Sequence, residues 1–254
     1  MHSYKVINFH EHPNIYTMDN CKEIAADQAV LLPVGVEENF YARMLTQTNP
    51  GKFIPFHWID LGKPADAEIK RLRFVVENWG VRGIKFHPMV QHFHADDRAM
   101  YPYYEVCEEL KLITTFHTGV IKMDFKYQLG VPMLCKYCDP INLDQVAFDF
   151  PDLKICIAHL GGNFIYNALV LTEKHDNIYM DTAFLGFFVP RLFPATTVTT
   201  MITHAVKVAG DEKVLFGGEG VTPDDIMAAD IREDSKQKIL YLNAEKLLSG
   251  ERQL

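Results

Sequence analysis

The chain runs to 254 residues, 48% of them apolar, with a formal net charge of −8 at neutral pH. That length suits one α/β barrel as readily as two small domains, and the apolar share is ample for a large core. The acidity, with no basic run, excludes the electrostatic attraction that dominates binding to nucleic acid or to an anionic membrane surface.

Short β-branched or apolar runs alternate with helical stretches along the chain, the pattern of a parallel sheet covered by helices. In order, the predicted strands are YKVINF (4–9), QAVLLPV (28–34), KFIPFHWI (52–59), VRGIKFH (81–87), KLITTFH (111–117), LKICIAH (153–159), NIYMDTA (177–183) and KVLFGG (213–218). Eight strands at this length predict an α/β fold of the (β/α)8 TIM barrel type, because closure leaves no sheet edge to protect. Between them, AEIKRLRFVVENWG (67–80) places Ile69, Leu72, Val75 and Val76 at helical spacing before Gly80. DRAMYPYYEVCEEL (97–110) and NLDQVAFDF (142–150) read as further helices, the first capped by Asp96 or Asp97 and the second by Asn142 or Asp144. No repeat, Pro-rich linker or low-complexity segment interrupts the pattern, so one domain over residues 1–254 is expected.

The N-terminal MHSYKVINFHEH lacks the apolar stretch of a signal peptide, and no segment approaches the roughly 20 apolar residues of a membrane span, so a cytoplasmic protein is expected. Five scattered cysteines, an odd number, point to reduced thiols rather than a disulfide framework. Cys135 and Cys138 form a CKYC pair, but a structural zinc site needs two further ligands and no second CxxC exists, so the pair reads as loop packing.

INFHEH (7–12) ends the first strand with two histidines one residue apart. Alternate strand residues share a face, so His10 and His12 project together, a geometry that suits a metal. His87, His117 and His159 end the fourth, fifth and sixth strands, and Glu219 follows the eighth. These are the C-terminal strand ends, where such barrels carry their active sites.

HEH after strand one, RGIKFHP (82–88), TTFHTG (114–119), YCDPINLDQVAFDFPDLKICIAHLGG (137–162), NIYMDTA (177–183) and LFGGEG (215–220) together resemble the amidohydrolase superfamily. The likeness is to the branch that contains carboxymuconate-semialdehyde decarboxylase and related decarboxylases and hydrolases. It implies that His10 and His12 are the HxH metal ligands and that His117 ligates from the end of strand five. It implies further that His159, in the HLGG motif, works as acid or base, and that Glu219 stands where the family has an aspartate. Here the usual FGSD has become FGGE, and Asn8 replaces an aspartate common two residues before the first histidine.

Three neutral imidazoles satisfy the ligand count of a catalytic metal without a carboxylate. Glu219 is longer than aspartate by one methylene, so it reaches the same place only from a backbone set farther back, which the flanking glycines permit. Asp224 or Asp225 in VTPDD is the alternative carboxylate, or else caps the next helix. Asn8 is expected to orient an imidazole from behind and, lacking charge, to weaken cation binding. Lys85 and His87 share a strand face and are assigned to substrate binding, Lys85 lying deeper. His92 and His94 fall in a loop and are placed on the rim. Residues 119–140 form a long loop that would serve as a lid, and FLGFFVPRLFPATT (184–197) sets Arg191 among aromatics, a setting for gripping a substrate carboxylate or, equally, a packed cover.

The expected cofactor is one divalent ion, zinc first, with manganese or iron as alternatives because imidazole suits several metals. The expected substrate is a small carboxylated or cyclic organic molecule. Hydrolysis of a C–N or C–O bond is the expected reaction, since no residue specific to decarboxylation can be identified; decarboxylation from the same ligand set is the alternative. A metal-free lactonase and a non-catalytic barrel complete the range. A homodimer is common among relatives of this kind.

Overall fold

A computed structural model gives the structure, which describes residues 4–22, 24–120 and 134–250. All eight expected strands form: β1 (Ile7–Glu11), β2 (Gln28–Leu31), β3 (Phe53–Trp58), β4 (Gly83–Phe86), β5 (Ile113–Phe116), β6 (Lys154–Ile157), β7 (Ile178–Asp181) and β8 (Val214–Leu215). They make one parallel sheet in sequential order. The Phe9 N–H donates to the Phe216 carbonyl at 2.7 Å, returning the chain after β8 to β1 and drawing the sheet into the TIM barrel. The strands are shorter than the apolar runs that announce them, because the ladders stop where the strand ends become loops.

The barrel interior is a buried cluster that includes Ile7, Phe9, Val30, Phe56, Cys156 and Leu215. Ala244 and Leu247, from the helix Asn243–Ser249, join it and plug the N-terminal end. Gly83 is required by this packing: a Cβ there would lie 2.4 Å from both the Phe56 ring and the Ile113 carbonyl. A larger cluster fills the layer between sheet and helices, where Leu72 and Val75 meet Ile84 and Phe86. Burying that apolar surface is the main stabilising force, at about 25 cal/mol per Å².

The helix Ala65–Trp79 ends at Gly80 with φ 66°, as its sequence predicts. Asp97 is the cap ahead of the helix Tyr101–Glu109, accepting from the Ala99 N–H. The next cap differs from expectation. Asp139, rather than Asn142 or Asp144, accepts from the Ile141 N–H, because a 3-10 turn (Pro140–Leu143) precedes the helix Asp144–Asp149 and moves the start upstream. Asp225 forms a capping box with Thr222, which settles it as a helix cap. No helix among the described residues is long and apolar enough to cross a membrane.

The helix Glu38–Thr48 carries a pH-sensitive contact. Glu38 accepts the Val34 N–H at 2.7 Å, and burial pushes its carboxyl up to about 7, against the pull of that bond and with the push of Glu37. The folded state therefore holds this proton to about 7, whereas the unfolded chain releases it near 4.5, so stability falls as pH rises between those values. Glu38→Gln keeps the acceptor and removes the ionisation. Allowing for solvent screening, its advantage should grow from nothing at low pH to about 1–2 kcal/mol above the transition, read from melts across that range. A gap independent of pH would reject this account.

Candidate active site

The site begins with an irregularity in β1. Pairing with β2 runs Asn8 to Ala29 and then Glu11 to Leu31, three residues against two, which is a β-bulge. Its effect is one of parity: Ile7 and Phe9 face the interior, and the extra residue lets His10 face inward as well. His10 is buried, its Nδ1 2.8 Å from Asp181 Oδ2 and its Nε2 3.8 Å from one oxygen of Glu219. His12 Nδ1 lies 2.8 Å from the Leu32 carbonyl, and its Nε2 lies 3.7 Å from the other Glu219 oxygen. Because a carbonyl only accepts, the Leu32 contact puts the His12 proton on Nδ1 and turns a lone pair toward Glu219.

Asn8 does not orient an imidazole as the sequence suggested. Its Oδ1 accepts the backbone N–H groups of Gly218, at 2.7 Å, and His10, at 3.0 Å, the donors nearest to it. It thereby pins the FGGE loop to β1. The Phe184 N–H holds the Glu219 carbonyl at 2.6 Å from the other side. With its backbone fixed at both ends, the longer glutamate side chain reaches both imidazoles.

After β6 the chain makes a tight turn in which His159, Leu160, Gly161 and Gly162 all have positive φ, from 47° to 86°. A Cβ on Gly162 would lie 2.7 Å from the Gly119 Cα, so the HLGG motif is a steric requirement. The turn aims His159 inward, with Nδ1 3.0 Å from the Ala183 carbonyl and Nε2 3.2 Å from His117 Nδ1. By the same accept-only argument, His159 Nε2 accepts from the Nδ1–H of His117. The His117 ring stacks on His87 at 3.8 Å and 12°.

Burial comes first in setting the charges here. It drives His10, His87, His117 and His159 well below 6.5 and His12 to about 4, and the Lys85 cation pushes each the same way. Burial lowers Lys85 to about 8, with Asp181 and Glu219 opposing. It raises Glu219 to about 7 against the pull of Lys85. At neutral pH the imidazoles are uncharged, the state that histidine ligands require, whereas the Glu219 carboxyl, pushed up to about 7, must lose its proton to join them.

The chain thus brings His10, His12 and Glu219 together, their ligand atoms within 4.8 Å of one another; His10, His159 and Asp181 form a second such group. His117 stands in neither and joins through His159. A cation fits the first group on one observation in particular: His10 Nε2 is buried with no hydrogen-bond partner, yet it faces a carboxylate. Lys85 Nζ and His87 Nδ1 are likewise buried without partners. Arg191 lies elsewhere. It donates to the Phe187 carbonyl and lines a cleft of about 400 Å³ with Tyr166, Phe193 and His204. Phe184 and Phe188 stand within 6.0 Å of the His159 ring, so this segment provides an aromatic wall. His92 is exposed on the rim, and both it and His94 pack against Tyr137. Of the expected lid, residues 121–133 lie outside the described residues.

Residues 10–250 match the sequence profile of the amidohydrolase family. The chain belongs to this family of enzymes. A curated relative, 2-amino-3-carboxymuconate-6-semialdehyde decarboxylase of Dictyostelium discoideum, is 26% identical over 134 residues, covering 50% of this amidohydrolase chain and 37% of the relative. The aligned region therefore spans little more than a third of that protein. Among solved structures, an uncharacterized TIM-barrel protein from Bordetella bronchiseptica aligns with a TM-score of 0.77 at 18% identity, over 97% of this chain and 99% of its own. A dihydroxybenzoic acid decarboxylase from a Polaromonas species, with bound manganese and the inhibitor 2-nitroresorcinol, aligns at 0.71 and 15% identity over 98% of each chain.

Sequence reasoning missed Asp181. The only signal was its place, a carboxylate ending the apolar strand NIYMDTA, where full burial demands partners.

Proposed function

We propose that this amidohydrolase is a metal-dependent decarboxylase of a small carboxylated aromatic or unsaturated acid. The observation that carries the reading is the convergence of His10 and His12 Nε2 on the Glu219 carboxylate, with His10 Nε2 buried and unpartnered. Decarboxylation is favoured over the hydrolysis that the sequence suggested because the Dictyostelium relative and the manganese-binding Polaromonas neighbour are both decarboxylases. His10, His12 and Glu219, joined by His117, would hold the ion, which supplies Lewis-acid polarisation of a substrate oxygen.

The chain's own residues do the rest. Lys85, a buried cation without a partner, offsets the charge of a substrate carboxylate that would be costly to bury alone, and His87 Nδ1 lies beside it on the same strand face. Replacing a carboxylate on carbon by hydrogen releases carbon dioxide and consumes one proton at that carbon. His159, whose Nε2 meets His117 Nδ1, would pass that proton to the carbon, while Glu219 stays ionised as a ligand. Arg191 gives one N–H to the Phe187 carbonyl and keeps its other donors for a substrate carboxylate. Hydrolysis of a C–N or C–O bond is the second reading, favoured by the same Glu219 acting as a base toward water.

The test is a panel of hydroxybenzoates, unsaturated dicarboxylates, lactones and amides offered to manganese- or zinc-loaded protein, read as carbon dioxide release and proton balance. Carbon dioxide from an acid of the first two classes is expected, falling about 10²- to 10⁴-fold in His159→Asn with metal retained. Acid production from a lactone or amide without carbon dioxide would establish the second reading instead.

A further inference from the structure

We infer that Asp181 is a positioning residue that fixes which nitrogen of His10 carries the proton and so keeps His10 Nε2 open as a ligand; the second half of this rests on the metal-dependent reading above. Asp181 is fully buried at the end of β7, and both its oxygens are engaged. Oδ1 accepts the backbone N–H groups of His159, at 2.9 Å, and Ala183, at 3.1 Å. Oδ2 lies 2.8 Å from His10 Nδ1. Neither backbone donor can turn away, so the polypeptide itself dictates how the carboxylate is oriented. Its second oxygen is left as a pure acceptor facing the His10 ring.

A neutral imidazole donates from one nitrogen and accepts at the other. Facing an acceptor, Nδ1 must carry the hydrogen, and Nε2 then presents its lone pair to the Glu219 carboxylate. The opposite tautomer would set a lone pair against Oδ2 at 2.8 Å in a fully buried place. His12 and His159 are backed by the carbonyls of Leu32 and Ala183, which no substitution can alter in kind. His10 is the one of the three backed by a side chain, so there the choice of tautomer is written in the sequence.

Asp181→Asn tests this. The two backbone N–H groups hold the amide oxygen in the Oδ1 place, which turns the NH2 toward His10 Nδ1. An NH2 group only donates, so Nδ1 must accept and the proton moves to Nε2. In protein with ¹⁵N-labelled histidine and no metal, long-range proton–nitrogen correlation, assigned with His10→Gln, should find Nδ1–H at His10 in the wild type and Nε2–H in Asp181→Asn. The manganese(II) dissociation constant by calorimetry should rise about 10- to 100-fold, the usual effect of removing a carboxylate behind a ligating histidine. Nε2–H in the wild type overturns the inference without recourse to any variant, so misfolding of Asp181→Asn cannot protect it. Loss of manganese with an unmoved tautomer also overturns it, because Asp181 would then be a ligand. If the wild type binds no manganese yet shows the switch, the tautomer assignment stands and the metal-dependent reading fails.

Discussion

Replacing His10 and His12 together by alanine should reduce bound metal from about one ion per chain to none. Both rings have one nitrogen committed behind them, to Asp181 and to the Leu32 carbonyl, and the other turned to Glu219. Beyond those backing contacts the two rings pack on each other and His10 on His159, so a thermal melt of the variant accompanies the metal assay. Turnover should fall at least about a thousandfold, since Lewis-acid stabilisation contributes several kcal/mol and each 1.4 kcal/mol is a factor of ten. Elemental mass spectrometry on protein grown in metal-replete medium, purified without chelators or a histidine tag, gives the first number. Equal metal in both proteins would move the cation elsewhere; metal in neither, with activity intact, would favour the metal-free lactonase.

The second large effect belongs to Glu219. A ligand carboxylate must be ionised, and burial holds this one protonated up to about 7. His12, already neutral above about 4, and His10, which burial also holds well below the usual imidazole range, are neutral near 7 and add no dependence there. Metal affinity should accordingly rise by about tenfold per pH unit below 7 and level off above it, because each unit there ionises ten times more of the carboxyl. Glu219→Gln should flatten that profile and lower kcat by about 10²- to 10⁴-fold. A wild-type affinity that does not change with pH would remove Glu219 from the ligand set.

The barrel was legible because its strands are continuous apolar runs, and the strand-end histidines because polar residues there have no packing purpose. What stayed hidden had no one-dimensional signature. Asp181 looks like any acid closing a strand until three nitrogen donors and the Cys156 thiol are seen converging on it. Asn8 reads in the sequence as a missing charge, but its work is to hold the loop after β8 against β1, a contact spanning 210 positions. Asp139 gives no sign of being a cap in the sequence, because a 3-10 entry to a helix has no periodic signal. Arg191 reads as a carboxylate clamp among aromatics, and one of its five N–H donors goes to a carbonyl four residues back.

The bulge in β1 has a wider meaning for how such a protein can change. Without it, every residue of the first strand would be bound to a single alternation, and a substitution that refined the mouth would have to respect the fit of Ile7 and Phe9 below. The additional residue separates the two registers. Residues 10–12 are free to be exchanged for other chemistry while the lower strand keeps its packing, so one strand serves as both scaffold and adjustable tool.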